Sequence, residues 1–173
     1  MKKLYLPIYQ SFLMEKKLLE WLTENKISYK LHCHKAVYTV DEAKVYTGNI
    51  SGMHCKNLFL KYSKTGTFYL VTLPAIKSIK ILDLSKRIGL KKLSFAKPED
   101  LKNILGLEPG SVSPLGMLND MHNAVTYVID KEVWEADIMC FHPNVNTETL
   151  EIPKGDFHRA INALGNKFTI MEF

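Results

Sequence analysis

The spacing of apolar residues along this chain predicts several amphipathic helices. Apolar positions recur at helical spacing from Met14 onward, so a helix is expected from the capping residue Ser11 to about Lys26. The sequence Thr-Val-Asp-Glu at 39–42 is a capping box and predicts a second helix, which ends near Gly48. Further helices are predicted at Asp83–Ile88, at Pro98–Gly106 and at Asp156–Leu164.

Short apolar runs between turn residues predict β-strands. The clearest pair is Cys55–Tyr62 and Phe68–Leu73, because Ser63–Gly66 between them supplies the turn of a hairpin. The alternation of helices and strands predicts an α/β protein, a single domain over residues 1–173 with a central mixed β-sheet flanked by helices. The other predicted strands are Ser28–Cys33, Leu93–Phe95, Val125–Asp130, Ile138–His142, Leu150–Ile152 and Lys167–Met171.

Composition gives only a weak indication of partners. The chain has 173 residues with 23 Lys plus Arg against 18 Asp plus Glu, and the resulting charge of +5 suits a polyanion such as RNA. Three cysteines without C-x-x-C spacing argue against a zinc knuckle or a disulfide framework, which favours a reducing compartment. No apolar run approaches the ~20 residues that span a bilayer, and the first residues lack the features of a signal peptide. A soluble cytoplasmic protein without a membrane partner is therefore expected.

The common catalytic signatures are absent, so neither a nucleophile triad nor a metal centre is indicated, and no cofactor is expected. Three segments nevertheless join apolar strands to polar residues: Cys55–Lys61, Gly110–Gly116 and Cys140–Thr147. The second segment belongs to the predicted loop Glu108–Asp120, which is longer than most connections and so favours a functional role. Taken alone, these segments are better explained by a lysine at a strand edge, an ordinary surface turn and a histidine bonded to backbone carbonyls than by a functional site.

Together the segments resemble the YbaK-like prolyl-tRNA editing family. The K-N-L-F-L-K strand, the G-S-V-S-P loop, the L-N-D after it and the H-P-N-x-N-T segment occur in the family's order over nearly the whole length. The resemblance implies a YbaK-like aminoacyl-tRNA deacylase fold with Lys56 as the central lysine, Asn57 beside it and His142 facing both. It also implies that a substrate pocket is shaped by Gly110, Ser111, Val112, Ser113, Pro114 and Asn119.

An aminoacyl ester is already activated, so its hydrolysis needs a positioned water and a stabilised oxyanion more than a strong nucleophile. On this basis Lys56 is expected to neutralise charge at a phosphate or carbonyl, Asn57 to orient the ester or the water, and His142 to bond the substrate or move a proton. The resemblance further implies help from the hydroxyl of the terminal ribose. Cys55 and Cys140 are expected to be buried strand residues.

The resemblance is nearer to the alanyl-tRNA(Pro) branch than to the cysteinyl branch, whose lysine is typically followed by Thr rather than by Asn57. A small rigid pocket would admit alanine and exclude the cognate proline by clash. The expected partner is the acceptor end of tRNA(Pro) carrying alanine, with prolyl-tRNA synthetase as a second candidate. The alternatives are a deacylase that acts on serine or cysteine esters, including cysteinyl-tRNA(Pro), a non-catalytic sensor of amino acids or aminoacyl-tRNA, and a domain that acts only with the synthetase. The remaining histidines, His32, His34, His54, His122 and His158, are expected to be structural.

Overall fold

The computed structural model of the chain describes residues 15–37 and 45–173. The predicted start of the first helix at Ser11 and most of the helix predicted after residue 39 lie outside these ranges. The helices are α1 Lys16–Glu24, α2 Ile81–Arg87, α3 Pro98–Leu105, α4 Lys131–Glu135 and α5 Lys154–Leu164, with a 3-10 helix at Pro114–Asn119. The strands are β1 Lys30–Cys33, β2 Met53–Tyr62, β3 Thr67–Pro74, β4 Leu93–Phe95, β5 Val125–Asp130, β6 Ile138–Phe141, β7 Glu148–Pro153 and β8 Phe168–Met171.

The described strands form one mixed sheet in the order β1-β7-β6-β2-β3-β5-β8, with β4 paired to β2. β2 and β3 form the expected antiparallel hairpin, in which Cys55 faces Pro74 and Tyr62 faces Thr67. β5 runs parallel to both β3 and β8, and β6 runs parallel to β2. The predicted mixed α/β fold is therefore confirmed.

One edge of β2 is shared between two partners. Met53 and His54 pair with β6 at the start of the strand, whereas residues 60–62 pair with β4 at its end. The stretch between these two pairings, which contains Lys56 and Asn57, has no strand beside it on that edge among the described residues. The sheet is therefore open at the point where the K-N-L-F-L-K sequence passes through it.

The two faces of the sheet are covered by different helices. The larger core cluster contains Leu70 of β3 together with apolar residues of α1, α3 and α5. The smaller one contains Val71 and Leu73 of β3 together with Leu84 of α2. Because neighbouring side chains on a strand point to opposite faces, Leu70 and Val71 of β3 belong to different clusters.

Two helices differ from the sequence expectations. Within the predicted loop Glu108–Asp120, a 3-10 helix begins where the Ser113 hydroxyl accepts a hydrogen bond from the Leu115 amide at 3.2 Å. Helix α4 was not predicted, because its 5 residues are too few for a helical period to show. Its cap is Asp130, whose carboxylate accepts a hydrogen bond from the Glu132 amide at 2.9 Å. No helix in the described ranges is both long and apolar enough to cross a membrane.

Candidate active site

A cavity of about 530 Å³ lies where the edge of β2 is open. It brings together residues from all three segments singled out in the sequence, which lie far apart along the chain. Five of the predicted site residues line it: Lys56, Asn57, Gly110, Val112 and His142. The other four, Ser111, Ser113, Pro114 and Asn119, are not among its lining residues.

Lys56 is half-buried in the cavity wall, and its ammonium group donates a hydrogen bond to the main-chain carbonyl of Lys77. Burial lowers the pKa of Lys56 below the usual lysine value. An ammonium group has three donors, so the bond to Lys77 leaves donors available for a substrate oxygen. The site thus offers a cation that is held in place by the protein backbone.

Asn57 belongs to a hydrogen-bond network that crosses three strands and reaches the loop. Its side-chain nitrogen donates to the carbonyl of Val112 at 3.0 Å, and its side-chain oxygen accepts from the Thr72 hydroxyl at 2.6 Å. The Thr72 hydroxyl in turn accepts from the phenol of Tyr127 at 2.9 Å. Both ends of the Asn57 amide are therefore engaged, and one of them fixes a cavity-lining residue of the loop.

The loop reaches the cavity through Gly110 and Val112. Gly110 has a φ of 92°, a conformation that favours glycine, and the turn is closed by a bond from the Ser111 amide to the Glu108 carbonyl at 3.0 Å. Ser113 and Pro114 instead begin the 3-10 helix, and both are buried. The loop therefore presents main chain and one apolar side chain to the cavity.

Asn119 lies at the end of the 3-10 helix and makes contacts away from the cavity. Its nitrogen donates to the Leu105 carbonyl at 3.0 Å, and its oxygen accepts from the Lys17 ammonium at 2.7 Å. These bonds tie the loop to α3 and α1. Asn119 therefore stabilises the position of the loop against these helices and does not line the cavity.

His142 lines the cavity from the end of β6. Its Nδ1 bonds the Glu148 carbonyl at 2.8 Å, and since a carbonyl only accepts, Nδ1 carries the proton and Nε2 of the neutral ring is left as an acceptor. Burial lowers the pKa of His142, as do the neighbouring His34 and His54, against the opposing effect of the Glu148 carbonyl. The geometry therefore favours a neutral imidazole with a defined tautomer.

Sequence reasoning assigned His54 a structural role, yet His54 also lines the cavity. Its Nε2 bonds the Ile50 carbonyl at 2.9 Å, which leaves Nδ1 as the acceptor of the neutral ring. The signal that could have found it is its position two residues before Lys56, on the same face of β2. His158, by contrast, stacks on Trp134 at 3.7 Å between ring centroids, in keeping with a structural role.

Cys55 and Cys140 also line the cavity. Burial raises the pKa of the Cys55 thiol well above its usual value and raises that of Cys140 to about 12. Because the thiolate is the nucleophilic form, neither residue is suited to attack an ester at neutral pH. In the part of the chain that the structure describes, no cluster of three or more His, Cys, Asp or Glu residues could hold a metal ion.

Comparison with known proteins gives a consistent result. Residues 34–160 match the family model described as the aminoacyl-tRNA editing domain. The chain is 38% identical over 152 residues to the prolyl-tRNA editing protein ProX of Acetoanaerobium sticklandii, which covers 87% of this chain and 92% of that protein. It is 31% identical to the prolyl-tRNA synthetase associated domain-containing protein 1 of Danio rerio, with coverage of 92% and 88% respectively.

Solved structures share the fold at low sequence identity. A crystal structure described as a candidate trans-editing enzyme for prolyl tRNA synthetase matches with a TM-score of 0.67 at 15% identity, covering 91% of this chain and 95% of the other. The hypothetical protein APE2540 matches with a TM-score of 0.68 at 19% identity, covering 88% and 97%. At these identities the likeness concerns the fold.

Proposed function

This chain belongs to the aminoacyl-tRNA editing domain family and is an aminoacyl-tRNA deacylase, and we propose that it hydrolyses alanyl-tRNA(Pro) while sparing prolyl-tRNA(Pro). The observation that carries this proposal is that Lys56, His142 and the loop residues Gly110 and Val112 line the same cavity. Its RNA partner is tRNA(Pro), and prolyl-tRNA synthetase is proposed as the protein that supplies it. We further propose that residues 1–173 act as one editing domain in the cytoplasm, where free thiols such as those of this chain persist.

The proposed reaction is hydrolysis of an ester. The oxygen of a water molecule bonds to the carbonyl carbon of the amino acid as the water loses one proton. The bond from that carbon to the ribose oxygen breaks, and the ribose oxygen takes up one proton in place of the one that the water lost. Lys56, held by the Lys77 carbonyl, donates a hydrogen bond to the oxygen on which negative charge develops. The free Nε2 of His142 accepts a hydrogen bond from the water or the neighbouring ribose hydroxyl and so orients it.

Selection against proline is proposed to be steric. Val112 is fixed in the cavity wall because the Asn57 side chain donates to its carbonyl. Gly110 also lines the cavity and adds no side chain to it. A rigid wall excludes the larger proline side chain by steric clash. Such exclusion discriminates more strongly than the ~1–3 kcal/mol of binding free energy gained from one additional methylene group. In this proposal Asn57 acts on selectivity through Val112.

The experiment follows release of amino acid from alanyl-, cysteinyl- and prolyl-tRNA(Pro) by the purified protein. Lys56→Ala is compared with Lys61→Ala, a lysine on the same strand that pairs with Asp100 at 3.2 Å and lies outside the cavity. We expect rapid release of alanine and retention of proline. Loss of a charged donor to the oxyanion predicts a rate lowered about 10²- to 10³-fold in Lys56→Ala, with Lys61→Ala within about two-fold of wild type.

Each alternative has its own outcome in this assay. Release of cysteine with little release of alanine would assign the chain to cysteinyl-tRNA(Pro). Tight binding of the charged tRNA without release would indicate a sensor. Activity that appears only after prolyl-tRNA synthetase is added would show that the domain works in complex. Equal rates for Lys56→Ala and Lys61→Ala would exclude the proposed role of Lys56.

A further inference from the structure

We infer that Lys77 is a positioning residue that holds the ammonium group of Lys56 in place for hydrolysis. This inference rests on the proposed function of the Lys56 site. The main-chain carbonyl of Lys77 accepts the hydrogen bond from Lys56, while the Lys77 side chain points into a separate group of acidic partners. Lys77 is not among the residues that line the cavity, so it acts on the substrate only through Lys56.

The Lys77 side chain is anchored at several points. Its ammonium group donates to the Asp130 carboxylate at 2.8 Å and to the main-chain oxygen of Phe173 at 2.9 Å, and it forms an ion pair with Glu132 at 2.6 Å. Asp130 is fully buried, and its other oxygen caps helix α4 by accepting from the Glu132 amide. The Glu132 side chain is exposed, so the buried carboxylate of Asp130 is the part of the anchor that lies in the protein interior.

The sheet topology explains why this anchor reaches Lys56. β3 and β5 are parallel neighbours, with Thr72 beside Ile129, so the end of β3 lies next to Asp130. The chain leaves β3 through a turn in which the Lys77 amide donates to the Pro74 carbonyl at 3.0 Å. The Ala75 amide meanwhile donates to the His54 carbonyl of β2 at 2.8 Å. The turn is thus fixed to β2 at one end and to β5 at the other.

The electrostatics match this arrangement. Burial opposes the charge on Lys77, but the hydrogen bonds and charges of Asp130 and Glu132 prevail and raise its pKa. Lys77 therefore stays charged and bound across the physiological range. A lysine side chain otherwise has many rotamers, so a fixed acceptor for Lys56 keeps its ammonium group in one place before the substrate arrives. Such preorganisation is what a donor to a developing oxyanion requires.

A positioning role and a purely stabilising role make different predictions for a double-mutant cycle. Lys77→Met, which removes the charge, and Lys77→Arg, which keeps it, are made in the full chain with Lys56 intact and in Lys56→Ala. Lys61→Met is the matched control, since it breaks a part-buried ion pair with Asp100 that lies away from the cavity. Single-turnover and steady-state release of alanine from alanyl-tRNA(Pro) give kcat and KM, and urea titration gives stability.

We expect Lys77→Met to lower kcat about ten-fold or more with KM changed less than about three-fold, and Lys77→Arg to restore most of the loss. With Lys56 already replaced, Lys77→Met should change the residual rate less than about two-fold. The inference would be overturned if Lys77→Met lowered kcat by the same factor with Lys56 intact and in Lys56→Ala. It would also be overturned if the loss of kcat were no larger than that caused by Lys61→Met. If Lys77→Met does not fold, Asp130→Asn replaces it in the same cycle, because asparagine can still cap α4 while lacking the charge that binds Lys77.

A second measurement does not depend on activity. Exchange of the Lys56 ammonium protons with water is followed by nitrogen NMR of lysine-labelled protein, with the signal assigned by its absence in Lys56→Arg. Several-fold faster exchange in Lys77→Met, with Lys61→Met unchanged, would support the inference even if the wild type hydrolysed no aminoacyl-tRNA. Unchanged exchange in Lys77→Met would overturn it, whether or not the deacylase activity is found.

Discussion

Replacing Thr72 with valine removes one hydroxyl from a buried network and changes the shape of the side chain very little. That hydroxyl is the only link between the Tyr127 phenol, at 2.9 Å, and the Asn57 amide oxygen, at 2.6 Å, among the contacts of the described residues. Thr72 and Tyr127 are both fully buried. Burial also raises the pKa of Tyr127, so its phenol remains a neutral donor that needs an acceptor.

The expected loss of stability in Thr72→Val can be worked out from the groups that lose a hydrogen-bond partner. Tyr127 would keep a buried phenol without an acceptor, and Asn57 would lose the donor to its oxygen, each at a cost of about 1–3 kcal/mol. Asn57 is only half-buried, so water can replace part of its loss. The added methyl group of valine returns about 0.8 kcal/mol. We therefore expect Thr72→Val to lower the free energy of unfolding by about 2 kcal/mol.

Urea unfolding followed by circular dichroism measures this change. With an m-value of about 1–3 kcal/mol/M, the midpoint should fall by about 1 M while m stays constant. The control is Thr169→Val on β8, where the side chain is exposed and a change under about 0.5 kcal/mol is expected. Equal midpoints for Thr72→Val and wild type would refute the network as a source of stability.

The same variant tests the link from the network to selectivity. Without the Thr72 hydroxyl, the bond to the Val112 carbonyl is the one side-chain hydrogen bond that Asn57 keeps among the described residues, so that part of the cavity wall is less firmly fixed. Release of proline relative to alanine should therefore rise several-fold in Thr72→Val and stay at the wild-type ratio in Thr169→Val. An unchanged ratio would mean that Val112 is fixed by other contacts.

Two further predictions concern Glu148 and Gly52. Glu148 is fully buried, and neither of its carboxylate oxygens has a hydrogen-bond partner among the described residues. Burial raises its pKa, so the stability that its neutral form contributes is present at low pH and is lost as the pH rises through that pKa. Glu148→Gln should then be more stable than wild type by on the order of 1 kcal/mol near pH 8 and by little at pH 4, and a gain independent of pH would contradict this. Gly52 has a φ of 113°, and an added Cβ would lie 2.8 Å from Cγ2 of Ile138. Gly52→Ala should lower the free energy of unfolding by about 1–3 kcal/mol, as measured by urea unfolding. Gly155→Ala in α5, where an added Cβ meets nothing within 4 Å, should raise it by about 0.5–1 kcal/mol. Equal effects of the two substitutions would contradict the steric argument.

The parts of the fold that depend on local sequence were predictable. The β2–β3 hairpin has the expected partners because its turn residues and its apolar runs are adjacent in sequence. The 3-10 helix at Pro114–Asn119 was missed because a Gly- and Pro-rich sequence has no helical period, and burial of this segment against the core stabilises it instead. Tertiary packing thus decided the structure where local pattern was silent.

The candidate site shows the same division. Lys56, Asn57 and His142 were identified because the motifs that contain them resemble those of the editing family, and the structure places all three at one cavity. Lys77 and Thr72 were not, because their decisive partners Asp130 and Tyr127 lie 53 and 55 residues further along the chain. The residues that hold a site in place are thus found only from the contacts between strands, and sequence reasoning also missed His54, which lines the cavity.

These supporting residues follow one plan on the two faces of the sheet. Asp130 and Tyr127 both lie on β5. Tyr127 connects to Asn57 of β2 through Thr72 of β3. Asp130 connects to Lys56 of β2 through Lys77, which follows the end of β3. Lys56 and Asn57 point to opposite faces of β2, so the two connections run on opposite faces. One fixes the cation that is proposed to act on the ester, and the other fixes the wall that is proposed to exclude proline. Because the two networks share no side chain, loss of Lys77 should act on rate and loss of Thr72 on selectivity, and the two effects should add in the double variant.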